Sequence, residues 1–433
     1  MNIMIFASTP ISHIFPLKPL VAELLKRGNK VYCLSCIERK ELIESYGCVF
    51  LEYPFNFEKK GLPLNLGEKL YELEYLWDKQ RYEEAMIEYM KYDLKRVNNV
   101  SVESLEMVEK IIKKYKVDLI YRDAVEKHAY ILSKKMNIKC IGYITHNLYS
   151  LDFFEQNPEN LFRVFMNCKN FYQISDGFFK KYYHILEQLN NVEKLGMTEF
   201  NMLPLHQFDP REKFNIIFST KLLQPKYYGK NYKIIYPSID RFLIEENIPK
   251  KLKNFIDKAH EMNRKIVYIS TGSIMSNNID YYVNFANFFT ANNICVVISL
   301  KHNLERTKAI LEELIEKDMV YIEEFVPQKY ILKNSSLFVS SGGQNSIIEA
   351  MYYKVPMLIN PMTSEQRING VWLDSLKLVK TSYKLEGDNK IGKLISELLN
   401  SSDIKNKIKN VSNDLRTHEN NFDEMWEFIY GRN

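Results

Sequence analysis

Two groups of residues in this chain have the types and spacing for chemistry. The first is Ser341-Gly342-Gly343-x-Asn345-Ser346, which follows the apolar run Leu337–Ser340 and precedes a helical pattern through Tyr353. A buried strand, a glycine turn and a helix beginning at Asn345 or Ser346 together make an anion site. The N–H groups of a first helical turn have no partner inside the helix, and the dipole there favours negative charge. Two glycines let a phosphate approach the main chain. An ordinary strand-to-helix turn has the same residues. The second group is His13, in the loop after the apolar run Asn2–Ser8, and Asp123, at the end of the run Val117–Tyr121. A histidine with a pKa near ~6.5 is largely neutral at pH 7 and can accept a hydroxyl proton. Its second nitrogen is normally held by a carboxylate. Alone, His13 reads as a surface-loop histidine, and Asp123 also suits the N-cap of a helix over Ala124–Met136.

The elements that must carry these residues alternate strand and helix. Strand Asn2–Ser8, helix Pro16–Arg27 ended by Gly28, and strand Lys30–Ser35 form a β-α-β opening that predicts a Rossmann-like half-sheet. Helices over Tyr71–Met90 and Glu103–Lys116 follow, then strands Val117–Tyr121, Ile138–Ile144, Phe214–Phe218 and Lys233–Tyr236. A linker runs from Pro237 to Pro249, and the alternation restarts at Lys265–Ser270 with Thr271-Gly272-Ser273 behind it. Helix Tyr281–Thr290, strand Ile294–Ser299, helix Glu305–Lys317 and strand Met319–Ile322 come next. Three consecutive strand ends then carry polar or turn residues: Phe325-Val326-Pro327-Gln328, Ser341-Gly342-Gly343, and Ser364-Glu365-Gln366-Arg367-Ile368-Asn369. A parallel sheet presents such ends to a ligand crevice. Leu148–Leu189 is rich in Phe, Tyr, Met and Asn without strand alternation, and reads as helices and loops roofing a pocket or as plain core. Asp403 to Tyr430 reads as one closing helical segment.

Composition bounds the function. A chain of 433 residues predicts two domains, and 46% hydrophobic with 26% charged residues is a globular balance. A net charge of +5 without basic stripes argues against nucleic acid. The first turn lacks a dinucleotide glycine fingerprint, which argues against a nicotinamide or flavin enzyme. Six scattered cysteines, including the Cys33-x-x-Cys36 pair, read as buried thiols in a reducing, cytoplasmic setting rather than as a metal or redox site. No signal peptide or run of spanning length is apparent.

In the order Phe325-Val326-Pro327-Gln328, Ser341-Gly342-Gly343-x-Asn345-Ser346-x-x-Glu349-Ala350, Val355-Pro356 and Glu365-Gln366-x-x-Asn369, the chain resembles the UDP-glycosyltransferase superfamily (glycosyltransferase family 1), and most nearly its bacterial macrolide-type members. The resemblance implies an α/β GT-B fold: two Rossmann-like domains whose parallel sheets face an inter-domain cleft. The expected division is an acceptor domain over 1–236, the linker 237–249, a nucleotide-sugar domain over 250–402, and a C-terminal helix, 403–433, packing back on the first domain. His13 stands where the family carries its catalytic base, facing that cleft, and Asp123 where it carries the orienting carboxylate. Phe325, Val326 and Gln328 match the segment that stacks on and hydrogen-bonds uracil, although plant members have Trp where Phe325 stands. Glu349 matches the residue on the ribose hydroxyls, though Ser346-x-x-Glu349 is also a capping-box spacing. Glu365 and Gln366 match the pair on the donor sugar, or are exposed loop or helix-start residues. Ser273, Gly342, Gly343, Asn345 and Ser346 would supply dipoles to the diphosphate.

Three departures stand out. Ser12 replaces a Gly before the base. Ser341 replaces a His that donates to the diphosphate; a hydroxyl brings no charge, and charge-assisted bonds are about twice as strong as neutral ones. Lys354 replaces a Gly, at a cost of about 1 kcal/mol if its backbone is left-handed. The expected activity is inverting, metal-independent and cofactor-free transfer from a UDP-sugar, or a dTDP-sugar, to a hydroxyl of a small, largely apolar metabolite. A catalytically weakened sugar-nucleotide-binding protein and a GT-B-fold epimerase are the alternatives.

Overall fold

The computed structural model describes residues 1–8, 11–54, 102–149, 209–225, 229–237, 248–272, 279–301, 303–316, 318–382, 388–419 and 421–431, with scattered positions between 76 and 91 and between 177 and 184, and residue 239. Ser273, most of the expected linker, much of the expected segment Tyr71–Met90 and nearly all of Leu148–Leu189 lie outside this description. The chain divides into two compact units, one of residues 1–237 with 419–433 and one of residues 238–418.

The first unit is built on a seven-stranded sheet. Its strands are β1 (Asn2–Phe6), β2 (Lys30–Ser35), β3 (Val49–Glu52), β4 (Leu119–Asp123), β5 (Lys139–Ile144), β6 (Phe214–Phe218) and β7 (Tyr232–Ile235), ordered β3-β2-β1-β4-β5-β6-β7. Every pairing is parallel. Parallel strands covered on both faces need continuous apolar runs, and Ile3 to Phe6 are wholly buried. Helix Leu17–Lys26 turns Leu17, Leu20, Val21 and Leu24 into the same core, and Gly28, at φ +74°, lets the chain reverse into β2.

The second unit repeats the architecture with six parallel strands: β8 (Ile266–Ser270), β9 (Cys295–Ser299), β10 (Val320–Glu323), β11 (Leu337–Ser340), β12 (Met357–Ile359) and β13 (Lys380–Thr381). Their order, β10-β9-β8-β11-β12-β13, reverses direction between β8 and β11, as the first sheet does between β1 and β4. Ligands of open parallel sheets bind outside the strands' carboxyl ends at such a reversal.

Several local expectations are corrected. His13 sits in a one-turn helix, Ile11–Ile14, rather than a loop. The helix after β4 spans Lys127–Lys135 and is capped by Glu126, whose side chain accepts the His128 N–H, so Asp123 is not its N-cap. The helix after β11 begins at Gln344 with Gly343 as N-cap, which puts Ser346 inside the first turn and removes the capping box with Glu349. The single closing helix is two. Ser402–Thr417 belongs to the second unit. Phe422–Tyr430 packs Phe422, Met425 and Ile429 into the core of the first, where Asn421 pins it by bonding the Tyr236 N–H and the Ile234 carbonyl. Among the described residues, no helix is long and apolar enough to cross a membrane.

Candidate active site

At the reversal of the first sheet, the short helix after β1 and the end of β4 bring His13 and Asp123 together. His13 Nδ1 donates to Asp123 Oδ2 at 2.7 Å. The carboxylate side chain is 2% exposed and the imidazole 17%, so the acid is sequestered while the ring keeps an opening. Because an ionised carboxylate only accepts, this bond places the proton on Nδ1 and the lone pair on Nε2. The other carboxylate oxygen accepts the Val125 N–H at 3.1 Å, and the Glu126 N–H turns back to the Asp123 carbonyl at 2.9 Å. Asp123 is therefore held by a tight turn of its own making. Tyr143, its register partner on β5, is buried and donates to the Phe6 carbonyl. Burial first, and then the Asp123 charge, push the Tyr143 phenol well above its ordinary range.

Arg122 holds this turn from below, and the sequence reading assigned it no part. Its Nη1 donates to the carbonyls of Asp123 and Ala124 at 3.2 Å and of Glu126 at 3.4 Å, and Nη2 bonds the Pro210 carbonyl. Nε donates to Glu212 Oε1 at 2.7 Å, while Lys134 takes the other oxygen at 2.9 Å. Burial alone would lower the guanidinium's pKa, but Glu212 beside it outweighs that and raises it. The available signal was an arginine inside an otherwise apolar strand, where a charge demands a partner.

At the reversal of the second sheet, the loops after β8 and β11 lie side by side, with Ser270 in register with Ser340. Gly342 has φ +85°, and a Cβ there would meet Ile359 Cγ2 at 2.7 Å, so only glycine fits. Gly343 has an ordinary φ of −66°, and nothing lies within 4 Å of where its Cβ would be. The protein itself does not require glycine there, and the missing side chain leaves space directly over the N-terminus of helix Gln344–Tyr352. Asn345 and Ser346 lie half-buried in its first turn.

Beside this turn, Gln328 Nε2 donates to Glu349 Oε2 at 2.7 Å and to Ser346 Oγ at 3.5 Å. Tyr268 donates to Gln328 Oε1 at 3.3 Å and stacks on Phe338; it escaped the sequence reading because it lies mid-strand in β8. Val326 is buried, whereas Phe325 is 78% exposed, an apolar ring open to solvent next to these polar groups. Glu365 and Gln366 open helix Ser364–Ser375. Gln366 forms a capping box with Thr363, and its Oε1 accepts the N–H groups of Met362 and Thr363 at 2.9 and 3.0 Å, leaving only its amide N–H groups for a ligand. Asn369 donates to Glu365 Oε1 at 3.5 Å and to the Gly342 carbonyl at 3.1 Å. Ser341 is 3% exposed and donates to the Thr271 carbonyl at 2.9 Å. Lys354 has φ +62°, which places it in the left-handed cap of helix Gln344–Tyr352.

The chemistry of the two sites differs. The first holds an acid-oriented imidazole, able to take a proton. The second holds a glycine-lined helix N-terminus able to attract an anion, a carboxylate able to accept from hydroxyl groups, and an exposed aromatic ring able to stack on a planar group.

Known proteins resemble this chain in sequence and in fold. Residues 241–423 match the family model "UDP-glucoronosyl and UDP-glucosyl transferase". The chain is 26% identical over 204 residues to "Uncharacterized UDP-glucosyltransferase YojK" of Bacillus subtilis (strain 168), an alignment spanning 46% of this chain and about half, 47%, of the relative. It is 23% identical over 407 residues to "NDP-glycosyltransferase YjiC" of the same organism, over 93% of this chain and 90% of the relative. The glycosyltransferase of kitacinnamycin superposes with a TM-score of 0.69 at 15% identity, covering 100% of this chain and 99% of that one. Glycosyltransferase VinC in complex with DTDP superposes at 0.63 and 13% identity, covering 99% and 98%. These likenesses and the two parallel sheets establish the GT-B fold.

Proposed function

We propose that this chain is a glycosyltransferase of the UDP-glycosyltransferase superfamily that moves a sugar from a nucleoside-diphosphate sugar to a hydroxyl of a small, largely apolar acceptor, with inversion and without a metal. The observation that carries this reading is the His13–Asp123 pair at a sheet reversal. In the proposed step, His13 Nε2 takes the acceptor's hydroxyl proton as the oxygen bonds to the anomeric carbon. The bond from that carbon to the diphosphate breaks, and the diphosphate leaves with the electron pair. Asp123 holds Nδ1–H and offsets the charge on the imidazolium. One displacement inverts the anomeric centre.

On the donor side, the first turn of helix Gln344–Tyr352 and the open space at Gly343 receive the diphosphate. Fixed dipoles do there what a cation would otherwise do. Glu349, steadied by Gln328, accepts from ribose hydroxyls, and Phe325 stacks on the base. Uracil and thymine both suit a ring contact, and VinC was crystallised with dTDP. Incubation with UDP-glucose and dTDP-glucose, with and without phenolic or macrolide acceptors, tests the reading. Acceptor-dependent release of the nucleoside diphosphate is the expected result. Binding with no turnover on any acceptor would favour a sugar-nucleotide-binding protein, and epimerised donor without transfer would favour an epimerase.

A further inference from the structure

Resting on this assignment of the donor site, we propose that Ser341 is a positioning residue: its hydroxyl latches the loop after β8 to the loop after β11, and it does not itself donate to the diphosphate. The two loops are alike. β8 leaves its sheet through Ser270-Thr271-Gly272 and β11 through Ser340-Ser341-Gly342. In each, the first serine hydroxyl accepts the N–H of the glycine two residues on, at 3.4 and 3.2 Å, and that glycine is left-handed, at φ +88° and +85°. The bond from Ser341 Oγ to the Thr271 carbonyl, 2.9 Å and buried, joins the pair.

A hydroxyl has one proton, so while this bond stands Ser341 has none for a phosphate. The latch extends on both sides. The Thr271 hydroxyl meets the Tyr282 hydroxyl at 2.7 Å, on helix Ile279–Ala291, and the Gly342 carbonyl accepts from Asn369 on helix Ser364–Ser375. Hydrogen bonds joined through the main chain of Thr271 and Ser341–Gly342 thus run across the sheet reversal from one helix to the next, with Ser341 between them. The hydroxyl is enclosed, Ser341 being buried with its partner Thr271. The donor cradle is therefore ordered by a neutral latch before any ligand arrives, and Ser341 adds no donor of its own to the diphosphate.

The test compares wild type with Ser341→Ala and Ser341→Cys, the thiol being a weaker donor. Three quantities are read: the melting temperature without ligand, the Kd for UDP-glucose by calorimetry, and the KM for each substrate. Removing the hydroxyl takes a donor away from the buried Thr271 carbonyl. The expectation is a lower melting temperature and a Kd weakened about 5- to 20-fold, with the donor KM following and the acceptor KM unchanged, and Cys between Ala and Ser. Weaker binding with an unchanged ligand-free melting temperature would mean that the hydroxyl contacts the ligand, and would overturn the latch. A lower melting temperature with wild-type affinity would make the bond purely structural, and would overturn it equally. Wild type that binds neither UDP-glucose nor dTDP-glucose would overturn the donor-site assignment, and the latch with it.

Discussion

Replacing Asp123 with Asn probes the proposed base through its orienting partner. In the native pair, one carboxylate oxygen takes His13 Nδ1–H at 2.7 Å and the other the Val125 N–H at 3.1 Å. A carboxamide has only one acceptor. If its oxygen stays on Val125, its NH2 faces His13 and selects the tautomer with the proton on Nε2, which cannot act as a base. If it turns its oxygen to His13, the NH2 opposes the Val125 N–H and a buried donor goes unpaired, at about 1–3 kcal/mol. The productive orientation also lacks the negative charge that favours the imidazolium, worth about 1 kcal/mol more as the difference between charged and neutral hydrogen bonds. The sum, about 2–4 kcal/mol, corresponds to a loss in kcat of roughly 30- to 1,000-fold. Steady-state kinetics with UDP-glucose and an accepted phenol measures it, with calorimetry confirming unchanged donor affinity. A loss below about threefold would refute the proposed coupling between Asp123 and the proton on His13.

Three other outcomes follow from the structure. Lys354→Gly relieves a left-handed lysine and should stabilise the protein by about 0.5–1 kcal/mol after the entropy glycine adds to the unfolded chain; denaturant titration reads it, and a loss of stability would show that the lysine has a compensating contact. Burial is the main force pushing the Cys140 thiol up to about 12 and the Cys36 thiol up to about 11. Since the thiolate is the reacting species, both should resist iodoacetamide at pH 8 in the folded protein and react on unfolding, as peptide mass mapping would reveal; rapid native labelling of Cys140 would contradict the burial. Turnover should persist in EDTA, because the proposed site stabilises the leaving diphosphate with backbone dipoles; loss of activity on chelation, restored by Mg²⁺ or Mn²⁺, would redirect the mechanism to a cation.

Legibility in the sequence followed burial. β1, β4, β8 and β11 are apolar on both faces and stand out as continuous runs, so the strand ends carrying His13, Asp123 and Ser341 could be located from residue types. β3 is half-exposed and β13 has two residues, too little pattern for either to show. Asp123 looked like a helix cap because Asp fills that role well, yet Glu126 takes it and frees Asp123 for His13. Arg122 and Glu212 are 90 residues apart, so their pairing is a property of the fold and not of any local stretch. The Thr363-x-x-Gln366 box has the capping spacing and was readable from it alone. The partner of Ser341, Thr271, comes from a strand that is distant in sequence and adjacent only in the sheet.

The central claim is that His13 is the base. Its most direct test is Ser- or Ala-scale removal of the imidazole: turnover of His13→Ala with UDP-glucose and an accepted phenol, measured beside the UDP-glucose Kd of the same protein. The account predicts a fall in kcat of about two to four orders of magnitude, with the Kd within twofold of wild type. Wild-type turnover in His13→Ala would contradict it.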